Sequence, residues 1–372
     1  KNIERMSEDE ADEKGLFEYM GEEVLSAFLA SVKKQSIYSE KSDLTIVYTP
    51  LHGTGNIPVR RILADKNVSV VKEQEMPDPA FPTVKAPNPE DPAAFTLSLA
   101  LADKTGADTV IATDPDSDRM GLAVRDRKGG FRLMTGNMTG SLLLHYLLSS
   151  MKEKGTLPKD GFAVKSLVST RMANAVCDRF GVRCLDVPTG FRFISEKIDE
   201  SERTGKGTFI FGFEESYGFL AGGFSRDKDA VCAAMLACEA VVYYALKGKT
   251  LCDVLDDMAE EYGYFSERVK SYTLEGREGL EHIANAMKKL RSDPPVGFGG
   301  RAVTRAEDML KDGTNVLRYF LGSDAWLAVR PSGTEPKLKL YIGAREKTAS
   351  ALDAALSSVT DAADGLLSSL LA

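Results

Sequence analysis

The sequence predicts an α/β protein: consecutive α/β domains, then a smaller α+β domain at the C-terminal end. Three observations lead there. Short, partly β-branched apolar runs such as Thr109-Val110-Ile111-Ala112 alternate with stretches whose apolar residues recur at helical spacing, the pattern of strands and their covering helices. Turn residues bound the runs, as in Asp114-Pro115-Asp116 and Pro188-Thr189-Gly190. From about Phe265 the pattern changes to strands flanked by longer helical stretches, 278–290 and 349–371.

The elements follow in order. Residues 1–14 are strongly polar and acidic and read as a linker. Phe17, Met20, Val24, Phe28, Leu29 and Val32 mark one helix face over 17–32. A strand at 44–48 leads into the Gly-rich turn Pro50-Leu51-His52-Gly53-Thr54-Gly55-Asn56, and Pro58 opens a helix to Ala64. After a strand at 68–71, Met76 to Pro92 holds six prolines and forms an extended surface loop. A helix over 93–104 and strands at 109–112 and 121–124 complete an α/β domain ending near Phe131. The second block repeats the alternation, with helices at 137–151 and 171–180 and strands at 162–168, 183–187 and 208–211. Arg226-Asp227-Lys228-Asp229 then opens a long, largely buried helix to Leu246, with Gly248 as its stop. In the last block strands are expected near Ser271, Ala302, Val316 and Trp326. Alternating Leu338, Leu340 and Ile342 form a return strand whose Lys339 faces solvent. The expected domains are 15–131, 132–264 and 265–372, after a linker at 1–14.

Composition bounds the function. At roughly 150 residues per domain, 372 residues make two to three domains. With 43% hydrophobic and 27% charged residues the chain builds a sizeable core, and its net charge of −8 argues against nucleic-acid or anionic-membrane partners. No stretch approaches the roughly 18 apolar residues of a membrane span. Lys1-Asn2-Ile3-Glu4-Arg5 lacks both a signal-peptide core and an initiator Met, so the chain is expected to be processed or a piece of a longer one. Cys177, Cys184, Cys232, Cys238 and Cys252 form no CxxC pair, which points to reduced thiols and a cytoplasmic setting. His145 has no Cys or His partner at metal spacing and reads as structural.

Three motifs carry chemistry. Asp114, Asp116 and Asp118 stand at i, i+2 and i+4 between two apolar runs, so their carboxylates project to one side. Three such charges repel each other, and a hard divalent cation such as Mg2+ relieves the cost while binding a substrate phosphate. Arg119 adds a permanent cation suited to a phosphate oxygen. The alternative is a solvated acidic turn. An EF-hand is excluded, because its sixth and twelfth positions would be Arg119 and Arg125. In Gly212-Phe213-Glu214-Glu215-Ser216-Tyr217-Gly218, Glu214 and Ser216 share one side of an extended loop and suit sugar hydroxyls, unless the loop is a solvated strand tip. Arg330-Pro331-Ser332-Gly333-Thr334-Glu335-Pro336-Lys337 offers guanidinium, hydroxyl and backbone donors to one phosphate, the alternative being a polar hairpin tip. The turn at 50–56 is neither a dinucleotide fingerprint nor a Walker loop, since Pro58 replaces the third glycine and no matching lysine follows. A tight turn and a ligand contact both stay open there.

DPDSDR, GFEESYG and RPSGTEPK resemble, in order and spacing, the motifs of the α-D-phosphohexomutases. The sequence is similar to the phosphoglucomutase/phosphomannomutase group over nearly its whole length, and TPLHGTGN, FPTVKAPNPE and PTGFRFISEKI agree as well. The resemblance implies consecutive α/β phosphohexomutase-type domains and a smaller α+β C-terminal domain. It implies that Asp114, Asp116 and Asp118 bind Mg2+, with Arg119 beside the reacting phosphate. Glu214, Glu215 and Ser216 are implied to form the sugar-binding loop, and Arg226 and Lys228 to face the phosphosugar, Lys228 among the catalytic groups. Arg330, Ser332, Gly333 and Thr334 are implied to hold the phosphate that is not reacting. The implied reaction is an intramolecular phosphoryl transfer of carbohydrate metabolism, between 1- and 6-phosphates of a sugar, through a hexose 1,6-bisphosphate.

Two departures bear on that expectation. Nothing here matches the family's TASHNP-like phosphoserine loop, so the chain is expected to start at the linker leaving that N-terminal domain and to be inactive without it. Arg192 stands where the family usually has Lys. With a pKa above about 12, Arg is a poor general base and suits a phosphate contact or electrostatic stabiliser. Two other functions compete: a metal-dependent sugar phosphatase with an aspartyl nucleophile, and a non-catalytic phosphosugar-binding fragment.

Overall fold

The computed structural model describes residues 5–40, 42–332 and 335–371. Where a linker was expected, α1 (Glu8–Glu13) forms a short exposed helix capped by Ser7. α2 (Glu22–Lys33) starts at Glu22 rather than Phe17, because extended Gly21 is its N-cap and Glu22 and Glu23 favour the positive end of the helix dipole. β1 (Thr45–Thr49), α3 (Asn56–Ile62), β2 (Asn67–Val70), α4 (Thr96–Thr105), β3 (Thr109–Thr113), β4 (Met120–Arg125) and β5 (Phe131–Met134) follow. They build a sheet ordered β2-β1-β3-β4-β5, in which β1 is parallel to β2 and β3, and β4 and β5 are antiparallel additions. β5 carries this sheet to Met134, past the expected end at 131. β3 is buried at every position, as a strand covered on both faces must be.

The second unit runs through α5 (Gly136–Glu153), β6 (Gly161–Ser166), α6 (Met172–Phe180), β7 (Arg183–Val187), α7 (Phe191–Thr204), β8 (Thr208–Phe213), β9 (Phe219–Ala221), α8 (Ala230–Ala245) and α9 (Leu251–Tyr262). Its sheet is ordered β7-β6-β8-β9. β9 and α9 escaped the sequence reading; β9 is three residues long, and α9 begins at a Thr250/Asp253 capping box. The all-round apolarity of α8 has a plain cause. It packs against α3 on one side and α5 on the other, inside one core shared by the first two units. His145, on α5, lies 2.6 Å from Tyr244 OH and is structural as expected.

The third unit comprises β10 (Tyr264–Thr273), α10 (Gly276–Ser292), β11 (Gly297–Phe298), β12 (Arg301–Ala302), β13 (Arg305–Asp308), β14 (Leu317–Leu321), β15 (Ala325–Pro331), β16 (Lys337–Glu346) and α11 (Ala349–Leu371). Its main sheet is antiparallel and ordered β10-β16-β15-β14-β13. Leu338, Leu340 and Ile342 face α10 and α11, while Trp326, Ala328 and Tyr341 meet Leu167 and Val168 of the second unit. An ionic chain joins the same two units, buried Lys165 and Arg318 meeting on Asp186: Lys165 Nζ to Asp186 Oδ1 at 2.8 Å, and Asp186 Oδ2 to Arg318 Nη1 at 3.2 Å. The architecture is therefore two α/β units followed by an α+β unit.

Candidate functional site

The acidic loop is the tip of the β3–β4 hairpin, where Thr113 pairs with Met120. It lies off the C-terminal end of β3, beside parallel β1, the usual ligand-facing edge of such sheets. Carboxylate oxygens of Asp114, Asp116 and Asp118 come within 4.8 Å of one another. Asp114 is buried, and its Oδ1 accepts the N–H groups of Asp118 at 3.1 Å and Arg119 at 2.9 Å. Burial pushes its carboxyl up to about 7; the Arg119 N–H opposes that and the charges of Asp118 and Asp116 add to it. Asp118 Oδ1 is buried without a hydrogen bond. Three converging carboxylates and an orphaned oxygen fit a hard divalent cation.

The Gly-rich turn at 50–56 buttresses this loop. Thr54 donates to Pro115 O through its N–H at 2.8 Å and its hydroxyl at 3.0 Å. A Cβ on Gly53 would enter the Pro115 backbone; one on Gly55 would lie 2.6, 2.7 and 2.8 Å from the hydroxyls of Tyr48, Thr113 and Ser117. Both glycines permit close approach of one loop to the other.

Arg119 spans three segments. Its Nη1 lies 2.8 Å from Glu90 Oε1 on the proline-rich loop, and its Nε lies 3.8 Å from Asp114 Oδ2 and 3.7 Å from Asp118 Oδ1. Its backbone bridges Gly218, and Met120 N–H donates to Tyr217 O at 3.0 Å, so the hairpin tip pairs with the GFEESYG loop. That loop is not extended. β8 ends at Phe213 and residues 215–216 form a turn, so the alternation of an extended chain does not hold here. Buried Glu214 turns inward and accepts the Gly190 N–H at 2.7 Å, while Glu215, Ser216 and Tyr217 line the adjoining cavity. Glu215 Oε2 accepts from Ser166 Oγ at 2.7 Å.

Lys228 joins the cluster, with Nζ 2.8 Å from Asp118 Oδ2 and 3.2 Å from Asp227 Oδ1. Burial pulls its pKa down, but these carboxylates more than offset that and hold it above the ordinary lysine value. It is a fixed cation rather than a proton acceptor. Arg226 is drawn away, with Nε 2.5 Å from Asp199 Oδ1 and its other end on Glu202 of α7. Arg192 is exposed, its guanidinium 4.6 Å over the Phe193 ring, and it is not part of the cavity wall.

The cavity measures about 810 Å³ and opens between the units. Glu90, Arg119, Glu215 and Ser216 of the first two units line it together with Arg330, Lys339 and Tyr341 of the third. Arg330 and Lys339 are cross-strand partners in β15–β16 and so share a face. With Leu338 and Leu340 in the core, alternation turns Lys339 and Tyr341 the other way, toward the cavity and not to open solvent as expected. Burial pushes the Tyr341 hydroxyl up to about 12, Glu215 adding and Arg330 opposing. Ser332 N–H donates to Lys337 O at 2.7 Å within the third motif; Gly333 and Thr334 lie outside the described residues. Sequence reasoning missed Glu90, Lys339 and Tyr341 as cavity residues. Strand parity carried a signal for the latter two, and the FPTVKAPNPE stretch, which ends at Glu90, carried one for the first.

Family models of phosphoglucomutase/phosphomannomutase match in order: alpha/beta/alpha domain II over 26–130, alpha/beta/alpha domain III over 135–262 and the C-terminal domain over 287–356. A phosphoglucomutase of Staphylococcus saprophyticus is 35% identical over 359 residues, covering 91% of this chain and 64% of that protein. Among solved structures, a phosphoglucomutase/phosphomannomutase family protein from Burkholderia thailandensis superposes with a TM-score of 0.68 at 16% identity, over 93% of this chain and 64% of that one. N-acetylphosphoglucosamine mutase of Aspergillus fumigatus, solved with GlcNAc-6P and magnesium, gives a TM-score of 0.53 at 13% identity, over 91% and 64%. The chain thus spans 64% of the length of each of these proteins.

Proposed function

Because the chain belongs to the phosphoglucomutase/phosphomannomutase family, we propose that it supplies the metal, sugar and distal-phosphate sites of a hexose-phosphate mutase. One observation carries the reading. Arg119, beside the acidic cluster, lines one cavity of about 810 Å³ with Arg330 and Lys339 of the third unit. Two cationic ends around a polar middle suit a sugar that carries phosphate at either of two positions.

In this reading Asp114, Asp116 and Asp118 would hold Mg2+; the A. fumigatus relative solved with magnesium supports the choice of ion. The bound ion supplies charge neutralisation for a transferring phosphoryl group. Arg119 presents its guanidinium to the oxygens of that group. Lys228 keeps Asp118 oriented and adds charge without taking a proton. Glu215 and Ser216 offer a carboxylate and a hydroxyl to the sugar, while Glu214 anchors the loop through Gly190. Arg330, Lys339 and Ser332 hold the other phosphate, with Gly333 and Thr334 as proposed members of the same loop. Ser117 does not qualify as the phosphoryl carrier: its buried hydroxyl has no hydrogen-bond partner, so no base activates it. The phosphoserine is proposed to come from an N-terminal domain outside these 372 residues, with hexose 1,6-bisphosphate as the intermediate. The five free cysteines agree with a cytoplasmic setting. Among the described residues no helix is long and apolar enough to cross a membrane.

Isothermal titration of the chain with Mg2+ and then glucose 6-phosphate tests the proposal. Both are expected to bind, and Arg330→Ala to lose the sugar phosphate. A parent chain that binds no hexose phosphate would overturn it.

A further inference from the structure

The proline-rich loop between β2 and α4 delivers Glu90 to the cavity wall from a rigid seat. Pro89 is buried against Gly121 of β4, where a Cβ would lie 2.7 Å from Pro89 Cβ and 2.7 Å from Phe95 Cζ. Asn88 Oδ1 accepts the Glu90 N–H at 2.9 Å, Asn88 O accepts the Asp91 N–H at 3.0 Å, and Asp91 caps the turn Pro92–Phe95. Farther up the loop, Thr83 Oγ1 lies 2.8 Å from His52 Nε2, tying it to the turn that buttresses the acidic hairpin. Gly121 is two residues past Arg119. The seat of Pro89 therefore fixes Glu90 opposite that guanidinium, with Glu90 Oε1 2.8 Å from Arg119 Nη1.

The guanidinium is stretched between two sets of carboxylates, the acidic cluster at Nε and Glu90 at Nη1. The Arg119 and Glu90 side chains are 33% and 38% exposed, so their pair is solvent-screened and weak. A phosphate dianion offers the same guanidinium a stronger, bidentate partner. We propose that Glu90 is a positioning residue: it holds Arg119 in the cavity while the site is empty and yields it to the phosphate of the substrate. The proposal rests on the hexose-phosphate reading of the cavity. Glu90 then does two opposing things, ordering Arg119 and competing with the ligand. Glutamine at this position keeps an acceptor for Arg119 and loses the competing charge, whereas alanine loses both.

The test uses the full chain with 15N-labelled arginine. Without ligand, the Arg119 Nε–Hε signal is expected to report an ordered side chain in the parent and in Glu90→Gln, and a mobile one in Glu90→Ala. With glucose 6-phosphate, Glu90→Gln is expected to bind about two- to fivefold tighter than the parent, the ratio for breaking a part-exposed ion pair. Arg119 equally ordered in Glu90→Ala, or Glu90→Gln binding no tighter than the parent, would overturn the proposal. If the parent binds no glucose 6-phosphate, the reading of the cavity falls, and the hold of Glu90 on Arg119 is decided by the ligand-free spectra.

Discussion

Lys228 Nζ lies 2.8 Å from Asp118 Oδ2, so the loop that opens buried helix α8 sets a fixed cation on the acidic hairpin. The other oxygen of the same carboxylate, Oδ1, is buried and has no hydrogen bond. One carboxylate thus anchors the loop and keeps a donor atom for a metal.

That division predicts opposite effects for two neighbours. Lys228→Met removes a positive charge beside the ion and should raise Mg2+ affinity by at least about fivefold, the scale of one nearby charge screened as in bulk water. Asp116→Asn replaces an anionic oxygen donor by a neutral one and should lower the affinity by about tenfold. Isothermal titration at pH 7 reads both. Equal affinity in all three proteins would remove the metal role.

The wall opposite yields a second prediction, one that differs from the sequence-based expectation. Lys339 shares the cavity face with Arg330, so Lys339→Ala is not a neutral control. Arg330→Ala should weaken glucose 6-phosphate binding about ten- to a hundredfold, since a charge-assisted bond contributes about 1.5–3 kcal/mol. Lys339→Ala should weaken it about three- to tenfold, as a flexible point charge does. A Lys339→Ala affinity equal to the parent's would return that side chain to bulk solvent.

These cases show what the sequence made legible. The acidic hairpin was readable because three spaced carboxylates between two buried strands leave few alternatives. The two α/β units and the α+β unit were readable from periodicity. The assignment within GFEESYG was not, because strand parity assumes an extended chain and residues 215–216 turn directly after β8. Parity did place Lys339 opposite Leu338 and Leu340. Whether that face met solvent or a cavity depended on how the third unit docks on Leu167 and Val168, which no local pattern encodes. Arg226 was misplaced for a similar reason: Asp199 and Glu202, far back in sequence, claim it.

A third prediction concerns acid stability. Burial, chiefly, holds the His145 pKa down to about 4, with Glu261 opposing and Lys247 adding. An unfolded chain binds that proton below about 6.5, while the folded one refuses it until about 4. The contribution of His145 to stability is therefore full above about pH 6.5, declines as pH falls to about 4, and amounts to at most about 3 kcal/mol. Glu267 works the other way. Burial raises it to about 7, with Thr170, Lys165 and Asn137 opposing. Its folded form takes the proton first, and its contribution declines as pH rises from about 4.5 to 7. Urea melts of the parent and His145→Gln at pH 7, 5.5 and 4 separate the two effects. The parent should lose its advantage over the variant across that range; a difference independent of pH would sink the assignment.

The last prediction is that this chain alone does not interconvert hexose 1- and 6-phosphates. Asp114, Asp116, Asp118 and Arg119 can position and neutralise a transferring phosphoryl group, the larger protein contribution to such reactions. They cannot carry it between half-reactions. Ser117, the serine inside the loop, takes a positive φ of 59° and presents a buried hydroxyl without a hydrogen-bond partner, so neither geometry nor an adjacent base favours attack. Lys228, the one lysine bonded to the cluster among the described residues, is held as an ammonium by Asp118 and Asp227. With Mg2+ and glucose 1,6-bisphosphate present, a coupled assay of glucose 6-phosphate formation should therefore read background. Restored turnover on adding a separately made phosphoserine domain from a relative would identify the missing carrier. Turnover by the chain alone would mean that a nucleophile lies among these residues after all. Release of inorganic phosphate carrying 18O from water would instead assign it to a phosphatase, because only hydrolysis places a solvent oxygen on the departing phosphate.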